Sequence, residues 1–332
     1  MQKLLVTGGA GFIGSHFIQL FLKKYPDYYI VNLDKLTYAS RLSFALQKKP
    51  NYYFVEGDIT NLLLVSELFQ KFNFDGVIHL AAESHVDRSI VDPLLFVKTN
   101  IEGTSVLLHA AYSHWFKAPN QPRNPQHRFL YVCTDEVYGA LNGHNRPFTE
   151  TATLAPGNPY SASKAAGEYL VKSYAHTYGL HTVITRSTNN YGRHQYPEKL
   201  IPMVLENALQ EQPITLHGDG SSIRDWLHVE DHCRAIDCVF HTGQSGQSYN
   251  IGANEERTNL EIAWMICQIL DRWKPLRGRS YTSFIRFTAE RVGQDRRYAL
   301  DCTKIKKALG WVPSITLQEG MQRLVRRQIE QN

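Results

Sequence analysis

The stretch Lys3–Gly14 reads KLLVTGGAGFIG and decides the fold. It begins with three apolar residues typical of a short buried strand, passes through Gly8, Gly11 and Gly14, and leads into an amphipathic helical pattern over Phe12–Tyr25. Glycine permits a tight turn and lets backbone N–H groups approach a pyrophosphate at the positive end of a helix. A purely structural turn is the alternative for three glycines alone, but their place between a strand and a helix favours a dinucleotide site.

The composition of the 332-residue chain is that of an ordinary globular protein, with 43% hydrophobic and 20% charged residues. This length accommodates one large domain or two closely packed ones. No apolar run approaches the length of a membrane span, so no membrane partner is expected. The first strand begins so close to Met1 that we expect no signal peptide.

The cysteines and the charge exclude several classes of function. Five cysteines form no CxxC pair and no metal-ligand cluster, which predicts reduced thiols, a cytoplasmic location and no bound metal. The net charge of +5 is mild, and the chain has no dense basic tract. A nucleic-acid partner is therefore not expected.

Strand-like runs alternate with helical patterns through the first 190 residues. After the first unit, the predicted strands are Tyr28–Asp34, Tyr52–Asp58, Gly76–Ala82, Arg128–Thr134 and His181–Ser187. The predicted helices are Asn61–Phe72, Leu94–Trp115 and Tyr160–Tyr178, and Pro119–His127 is predicted to be an exposed polar loop. Apolar strands alternating with helices predict an α/β fold with a Rossmann-like, doubly wound parallel sheet.

Beyond position 190 the pattern becomes less regular. Helical segments appear at Lys199–Gln210, Asn259–Trp273 and Leu317–Glu330. We predict a cofactor-binding domain over residues 1–190, which carries the catalytic residues, and a smaller substrate-binding cap over residues 191–332. The cap is expected to be interleaved with the sheet rather than joined to it by a linker.

The identity of the dinucleotide depends on Asp34, which ends the second strand. A carboxylate there accepts hydrogen bonds from both ribose hydroxyls and repels a 2′-phosphate, which favours NAD over NADP. The alternative is an aspartate that only caps the next turn, and the adjacent Lys35 softens the discrimination. The next two strand ends supply further predicted cofactor contacts, namely Asp58, Ile59, Leu80, Ala81 and Ala82.

A Tyr-x-x-x-Lys pair, Tyr160 and Lys164, stands near the start of a predicted helix. Asn158 suits the N-cap and Pro159 the first turn, so both side chains are expected on one helix face. An ammonium next to a phenol lowers the pKa of the phenol, which predicts that Tyr160 acts as a base toward a sugar hydroxyl. The pair is common in helices, and it gains weight here from the dinucleotide motif and the preceding CTDEVYG.

Together, TGGAGFIG (7–14), the Tyr-x-x-x-Lys helix and LAAESHVDRS (80–89) resemble the extended short-chain dehydrogenase/reductases over essentially the whole chain. Within that group the sequence is most similar to the nucleotide-sugar 4,6-dehydratases. The matching blocks are LDKLTYAS (33–40), HLAAESHVDRSI (79–90), CTDEVYG (133–139), NNYG (189–192), PEKLIP (197–202), GDGSSIRDWLHVEDH (218–232), YNIG (249–252) and QDRRYALD (294–301). The resemblance implies an NAD cofactor, whose contacts would also include Phe12, Ile13, Lys35, Thr37, Thr99, Tyr160 and Lys164.

Thr134, Asp135 and Glu136 separate a dehydratase from an epimerase. An epimerase only removes a hydride at C4 and returns it, whereas a dehydratase must also remove the C5 proton and protonate the departing C6 oxygen. Two adjacent carboxyl groups can supply both roles if their environments separate their pKa values. The resemblance implies that Glu136 is the base, that Asp135 is the acid, and that Thr134 orients the sugar and Tyr160. The alternative is that the two acidic residues simply begin a polar loop.

The resemblance also implies residues that hold a sugar nucleotide. Arg224 matches a diphosphate-binding arginine, whose planar fork suits phosphate geometry. The other implied substrate contacts are Ser84, Asn189, Lys199, Leu200, His217 and Asn259, although Lys199 alone also fits a solvated helix residue. His217, Val292 and Gln294 depart from the family pattern, so the base stays open between dTDP and UDP, with dTDP-glucose preferred.

Several rival functions remain at this point. They are a UDP-glucose 4,6-dehydratase, a nucleotide-sugar 4-epimerase, a UDP-sugar decarboxylase and a non-catalytic NAD-binding protein. The last would be expected to lack Tyr160, Lys164 or the acidic pair, and all are present. The resemblance further implies a homodimer, with Leu94–Trp115 and Tyr160–Tyr178 forming a four-helix interface.

Overall fold

The computed structural model describes residues 1–40, 44–141, 145–290 and 295–331. At its centre is a sheet of seven strands, in which every adjacent pair is parallel. The strands are β1 (Gln2–Thr7), β2 (Tyr28–Asp34), β3 (Tyr52–Glu56), β4 (Gly76–His79), β5 (Arg128–Thr134), β6 (Thr182–Ser187) and β7 (Gln247–Ile251). They lie in the order β7-β6-β5-β4-β1-β2-β3, which confirms the predicted doubly wound parallel sheet.

Most strand bounds agree with the sequence patterns, and the exceptions have identifiable causes. Strand β4 ends at His79, earlier than predicted, because the Ala81 amide donates to the Thr7 hydroxyl (3.3 Å) instead of continuing the ladder. Strand β7 was not predicted and pairs with β6. Its buried polar residues, Ser248 and Asn250, conceal the apolar pattern of a central strand.

Helices cover both faces of this sheet. One face carries Leu62–Phe72, Gly103–Trp115 and Pro159–Tyr178, and the other carries Phe12–Lys24, Val229–Thr242 and Thr303–Leu309. Each set packs its apolar side chains against its own face of the sheet, so that two continuous hydrophobic cores form. The strands are therefore buried on both sides, as parallel sheets require.

The region predicted as one helix over Leu94–Trp115 is instead three consecutive segments. They are an α-helix at Pro93–Phe96, a π-helix at Val97–Glu102 and an α-helix at Gly103–Trp115. Within the π-helix, the Asn100 side chain bonds both the N–H and the C=O of Glu83, each at 2.9 Å. The wide turn thus fixes the loop after β4, a tertiary contact that helical periodicity does not reveal.

The C-terminal part has a third hydrophobic core. It is built from helices Leu200–Leu209, Asn259–Trp273 and Leu317–Gln331, a strand pair Ile214–His217 with Ile285–Thr288, and a sheet of Asn189–Tyr191, Ile223–His228 and Glu256–Thr258. The remaining elements are helices Phe44–Gln47 and Val86–Val91, 3-10 helices Asp135–Tyr138 and Tyr281–Phe284, and the short strands Phe116–Ala118 and Gln121–Pro122. The last of these falls inside the predicted polar loop.

The described residues contain neither a membrane-spanning helix nor a metal-binding cluster. No helix in these ranges is long and apolar enough to cross a bilayer. No group of three or more His, Cys, Asp or Glu in the same ranges is arranged to hold a metal ion. All five cysteines are free thiols.

Candidate active site

A cleft opens at the carboxyl edge of the sheet, beside β1 and β4, where the strand order reverses. This reversal is where open parallel sheets bind ligands. The predicted residues that line the cleft are Gly8, Gly11, Phe12, Ile13, Gly14, Asp34, Lys35, Thr37, Ile59, Leu80, Ala81, Ala82, Ser84, Thr99, Thr134, Asp135, Glu136, Tyr160, Lys164, Asn189 and Lys199. The predicted residues that are not part of this lining are Asp58, Leu200, His217, Arg224 and Asn259.

The glycine turn after β1 has the geometry of a phosphate cradle. Gly8 has a φ of +73°, and a Cβ placed there would lie 2.6 Å from the Ala81 amide nitrogen. A Cβ at Gly14 would lie 2.3 Å from the Gly8 carbonyl oxygen. Helix Phe12–Lys24 begins at the N-cap Gly11 without a side-chain cap, so its first N–H groups face the cleft unsatisfied by a cap. Such a helix start suits a pyrophosphate.

Asp34 has two structural roles at the end of β2. Its Oδ2 accepts from the Ala10 amide (2.9 Å), and its Oδ1 accepts from the Leu36 amide (2.9 Å) and the Ser40 hydroxyl (3.0 Å). The aspartate therefore caps the next turn, as the alternative interpretation held. It also lines the cleft, and Oδ2 retains acceptor capacity for a ribose hydroxyl.

Lys35 is balanced by two carboxylates. Its Nζ lies 3.6 Å from Glu83 Oε1 and 3.8 Å from Asp58 Oδ2, and it donates to the Thr99 hydroxyl at 3.4 Å. Asp58 accepts from both the amide and the hydroxyl of Thr60, at 2.9 and 3.0 Å. Asp58 thus closes its own turn and neutralises Lys35, and its contact with an adenine stays a prediction.

The start of helix Pro159–Tyr178 positions the Tyr-x-x-x-Lys pair. The Asn158 side chain accepts from the Ser161 amide (2.9 Å), and the Ser161 hydroxyl accepts from the Asn158 amide (3.2 Å). This capping box fixes the first helical turn. Tyr160 and Lys164 consequently lie on one face of the helix, buried at the base of the cleft.

The predicted effect of Lys164 on the phenol is wrong for the protein alone. The Lys164 ammonium donates to the Val132 carbonyl (2.8 Å), and burial lowers the pKa of Lys164 to about 8. Burial and the charge of Glu136 raise the pKa of the Tyr160 phenol well above its usual range, although a hydrogen bond with Thr134 opposes the shift. Burial is the largest cause of this shift, and sequence spacing does not report burial.

Asp135 is a buried acid. It begins the 3-10 helix after β5, and its Oδ1 accepts from the Thr134 hydroxyl (3.2 Å). Its Oδ2 is buried and has no hydrogen-bond partner among the described residues. Burial, with the charge of Glu136, raises the pKa of Asp135 to about 8. This carboxyl group is therefore protonated at neutral pH and has a proton to donate.

Glu136 is adjacent in sequence but has a different environment. Burial raises the pKa of Glu136, while the cationic groups of Lys199 and Arg224 oppose that shift. The Asn158 amide donates to Glu136 Oε2 at 3.4 Å. Because cations favour its ionised form and a carboxylate neighbour disfavours ionisation of Asp135, the two carboxyl groups are suited to opposite roles in proton transfer.

Arg224 lies just behind the cleft. Its guanidinium donates to the carbonyls of Ile223 (2.7 Å) and Asp295 (2.9 Å) and lies 4.6 Å from the centre of the Tyr298 ring. Its charge nevertheless reaches Asp135 and opposes the rise in the pKa of that group. A planar guanidinium held by carbonyls at two positions keeps further N–H donors for an anion.

Two other predicted substrate contacts belong to the C-terminal core. Leu200 is the first residue of helix Leu200–Leu209 and packs against that core. Asn259 begins helix Asn259–Trp273, and its backbone N–H donates to the Ser222 carbonyl at 3.0 Å. Their roles toward a ligand stay predictions.

Of the residues that depart from the family pattern, the structure describes His217. His217 is exposed at the end of strand Ile214–His217, with its Nδ1 3.3 Å from the Ala289 carbonyl. The predicted departures Val292 and Gln294 fall outside the described residues.

Comparisons with known proteins agree with this geometry. Residues 5–324 match the protein-family model described as GDP-mannose 4,6 dehydratase. A dTDP-glucose 4,6-dehydratase from Xanthomonas campestris pv. campestris is 47% identical over 324 residues, which is 97% of this chain and 91% of that protein. The chain belongs to the nucleotide-sugar 4,6-dehydratase family. The resemblance seen in the sequence motifs is confirmed.

Solved structures of the 4,6-dehydratase family superpose along the whole chain. A dTDP-glucose 4,6-dehydratase from Streptomyces venezuelae, solved with NAD and a dTDP ligand bound, has a TM-score of 0.88 at 40% identity and covers 99% of this chain and 97% of its own. A UDP-glucose 4-epimerase from Thermotoga maritima, solved with UDP-glucose, has a TM-score of 0.85 at 28% identity and covers 99% of both chains. Dehydratases and epimerases share this fold, so the fold alone does not separate them.

Sequence reasoning missed a group of side chains that joins three segments across the cleft of this 4,6-dehydratase family member. The rings of Tyr38 and Tyr196 meet edge to face at 5.3 Å, and the Arg88 guanidinium lies 3.4 Å above the Tyr38 ring. Glu198 lies 3.7 Å from Arg88 and 3.2 Å from His85. Four of the five stand inside quoted sequence blocks, and Tyr196 directly precedes one, but contacts between distant segments leave no local pattern in a single sequence.

Proposed function

We propose that this protein dehydrates dTDP-glucose to dTDP-4-keto-6-deoxyglucose, with NAD as its bound cofactor. The observation that carries the proposal is the pair of adjacent carboxyl groups, Asp135 with a pKa of about 8 and Glu136 facing two cations. An epimerase has no use for such a pair, because it eliminates nothing. The Xanthomonas and Streptomyces relatives named above are dTDP-glucose 4,6-dehydratases, which supports the same substrate.

The residues that would hold NAD fit it chemically. The backbone amides after Gly8 suit its pyrophosphate, Asp34 its adenosine ribose, and Ala81 and Ala82 allow its close approach. When bound, NAD would accept the C4 hydride, add positive charge to the site, and later return the hydride to C6. No net oxidant is then consumed in a turnover.

Tyr160 begins the reaction in this proposal by taking the proton of the C4 hydroxyl. Only the phenolate can accept that proton. Because burial raises the pKa of Tyr160, its phenol must first lose its own proton to solvent, and positive charge placed nearby favours that loss. Lys164, held by the Val132 carbonyl, supplies one such charge. Thr134, which is hydrogen-bonded to Tyr160, orients the hydroxyl.

The elimination is carried out by the two carboxyl groups. A ketone at C4 acidifies the C5 proton, which Glu136 removes. Asp135 donates its proton to the C6 oxygen, which leaves as water with the C–O electron pair. Glu136 ends protonated and Asp135 ionised, and the total charge of the pair is unchanged.

The sugar nucleotide is proposed to lie toward the C-terminal part. Arg224 and Lys199 would neutralise its diphosphate, Ser84 and Asn189 would contact the sugar, and Leu200, Asn259 and His217 would lie toward the base. His217, which is exposed, departs from the family pattern at the predicted base end, so UDP-glucose is the comparison substrate for the test. One thymine methyl discriminates by only about 1–3 kcal/mol.

The test is a paired assay in deuterated water with dTDP-glucose and UDP-glucose offered separately. We expect a 4-keto-6-deoxy product with deuterium at C5 and faster turnover of the dTDP sugar, measured by mass spectrometry and NMR. A product of unchanged mass with C4 inverted would contradict the proposal and identify an epimerase. Faster turnover of UDP-glucose would reassign the base.

We also propose a homodimer with an interface at the helices Leu94–Trp115 and Tyr160–Tyr178. Leu94 is 76% exposed, and Val97 and Tyr169 in the same two ranges are exposed as well. Val91, at the end of the adjoining helix Val86–Val91, is also exposed. Light scattering should give twice the chain mass, and Leu94→Glu should give the monomer mass. The matched control is Leu63→Glu, because Leu63 is also 76% exposed but lies on another helix.

Two broader proposals follow from the same observations. A cytoplasmic location agrees with five free thiols. The division into residues 1–190 and 191–332 agrees with a separate C-terminal core, and β7 returns from the second part to the central sheet. Limited proteolysis that released a folded fragment of 191–332 would contradict the interleaving.

A further inference from the structure

One buried arginine touches both elements that carry the catalytic groups. Arg186 on β6 is almost fully buried and stands opposite Cys133 in the parallel ladder with β5. Its Nε donates to Glu168 Oε2 at 2.9 Å, and its Nη2 donates to Glu168 Oε1. Its Nη1 donates to the Tyr138 hydroxyl oxygen and to the Glu150 carbonyl (3.2 Å).

The first partner, Glu168, belongs to the catalytic helix. Tyr160, Lys164 and Glu168 are spaced four residues apart in helix Pro159–Tyr178, so they follow one stripe of that helix. The Glu168 carboxylate is fully buried and is held by both oxygens in a bidentate pair. Bidentate pairing of this kind fixes orientation as well as distance.

The second partner, Tyr138, ends the 3-10 helix Asp135–Tyr138, which carries both carboxyl groups of the elimination. Its ring centre lies 4.7 Å from the Arg186 guanidinium, and its hydroxyl donates to Asn250 Oδ1 on β7 at 2.8 Å. The phenol is therefore fixed between Arg186 and the strand contributed by the C-terminal part.

We propose that Arg186 is a positioning residue that sets the catalytic helix, with Tyr160 and Lys164, at a fixed place relative to the turn that carries Asp135 and Glu136. The inference rests on the proposed function, in which both elements act on one bound sugar. Oxidation at C4 and elimination across C5 and C6 need the two elements in register. A misplacement of about 1 Å in such a site costs about 100-fold in rate.

The structure offers a substitution that loosens one tie alone. Tyr138→Phe keeps the ring against the guanidinium and removes the oxygen that Arg186 and Asn250 share. Arg186→Lys removes the bidentate geometry and both ties. The matched control is Lys172→Met. Lys172 is the second partner of Glu168, at 2.6 Å, is partly exposed, and forms no ion pair with Asp135 or Glu136 among the described residues.

The experiment measures two steps separately with dTDP-glucose in deuterated water. C4 oxidation is followed as transient NADH absorbance in single turnover, and elimination as deuterium entry at C5 and product formation. In Tyr138→Phe we expect C4 oxidation within about threefold of wild type and elimination slowed about tenfold or more, so that NADH accumulates. Arg186→Lys should slow both steps, and Lys172→Met neither.

The outcomes separate this inference from the function beneath it. A wild-type protein that forms no NADH and no 4-keto-6-deoxy product overturns the proposed function and this inference with it. A wild-type protein that dehydrates, together with a Tyr138→Phe variant that loses both steps equally or neither, overturns the inference alone. Thermal unfolding and bound NAD content are measured for each variant, and the Tyr138→Phe ratio of the two rates decides the matter even if Arg186→Lys does not fold.

Discussion

The floor of the cleft and its outer rim are built in different ways. The floor, defined by Tyr160, Lys164, Asp135 and Glu136, stands on elements packed against the central sheet, and most of its polar atoms already have fixed partners. The rim, defined by Arg224, His217 and Asn259, stands on the small sheets and helices of the C-terminal part and outside the cleft lining. The difference indicates a preorganised floor, and we propose that the rim makes its nucleotide contacts only when the substrate binds.

The strongest test of a preorganised floor is Tyr160→Phe. Removing the phenol oxygen keeps the ring that lines the cleft but removes the proposed base for the C4 hydroxyl. We expect C4 oxidation, followed as NADH formation in single turnover, to fall by about 1,000-fold, within the range for general acid–base groups. Bound NAD should stay at the wild-type level. A rate within tenfold of wild type would show that another group takes this proton.

Asp135→Asn tests the two carboxyl groups of the floor, Asp135 and Glu136. We expect product formation to fall by about 100-fold. Because the raised pKa of Asp135 keeps it protonated below about pH 8, the wild-type rate of water loss should fall as pH rises through that value. In the variant the alkaline fall in this step should disappear, while deuterium still enters C5 through Glu136.

The control for this prediction is Glu136→Gln, which should lose both the C5 exchange and the product. Because the pKa of Lys164 is also about 8, we expect the rate of C4 oxidation to fall at alkaline pH as well. Deuterium exchange at C5 and product formation are therefore measured separately from NADH formation. Persistence of the alkaline fall of water loss in Asp135→Asn would contradict the acid role.

The glycine turn of the cofactor cradle lines the same cleft as the floor. It can be tested against a matched glycine elsewhere in the chain. Gly8 and Gly246 have φ values of +73° and +76°, but only Gly8 would place a Cβ against backbone, 2.6 Å from Ala81. Gly246→Ala should lose about 1 kcal/mol of stability from strain alone. Gly8→Ala should lose about 2–3 kcal/mol and also lose NAD during gel filtration. Equal unfolding temperatures and equal NAD content in the two variants would contradict the cradle.

Much of the floor was predictable from sequence because it depends on local patterns. Apolar runs marked the strands, glycine spacing marked the cradle, and Asn158 marked the start of the catalytic helix. These signals act within a few residues, and the structure places the residues they predicted along one cleft. The floor needs little information from distant parts of the chain to be recognised.

The errors came where distant segments decide the outcome. The raised pKa of Tyr160 follows from burial by the whole fold, which spacing to Lys164 does not show. Strand β7 was missed because it buries two polar residues, Ser248 and Asn250. The Asn250 side chain accepts from the Tyr138 hydroxyl and donates to the Phe148 carbonyl, both in distant segments. The rim residues were predicted from family motifs alone, and their roles depend on a nucleotide whose position no local pattern gives.

The smallest effects are expected at the rim, where Arg224 and His217 form a graded pair. Arg224→Lys keeps the charge near Asp135 but loses the planar fork, so KM for the sugar nucleotide should rise about tenfold with little change in kcat. His217→Ala, at an exposed side chain, should change KM by about threefold or less. Steady-state kinetics with dTDP-glucose and UDP-glucose measure both. A fall in kcat that exceeds the rise in KM for Arg224→Lys would place this arginine with the floor, because its charge would then be acting on Asp135 and Glu136 rather than on the diphosphate.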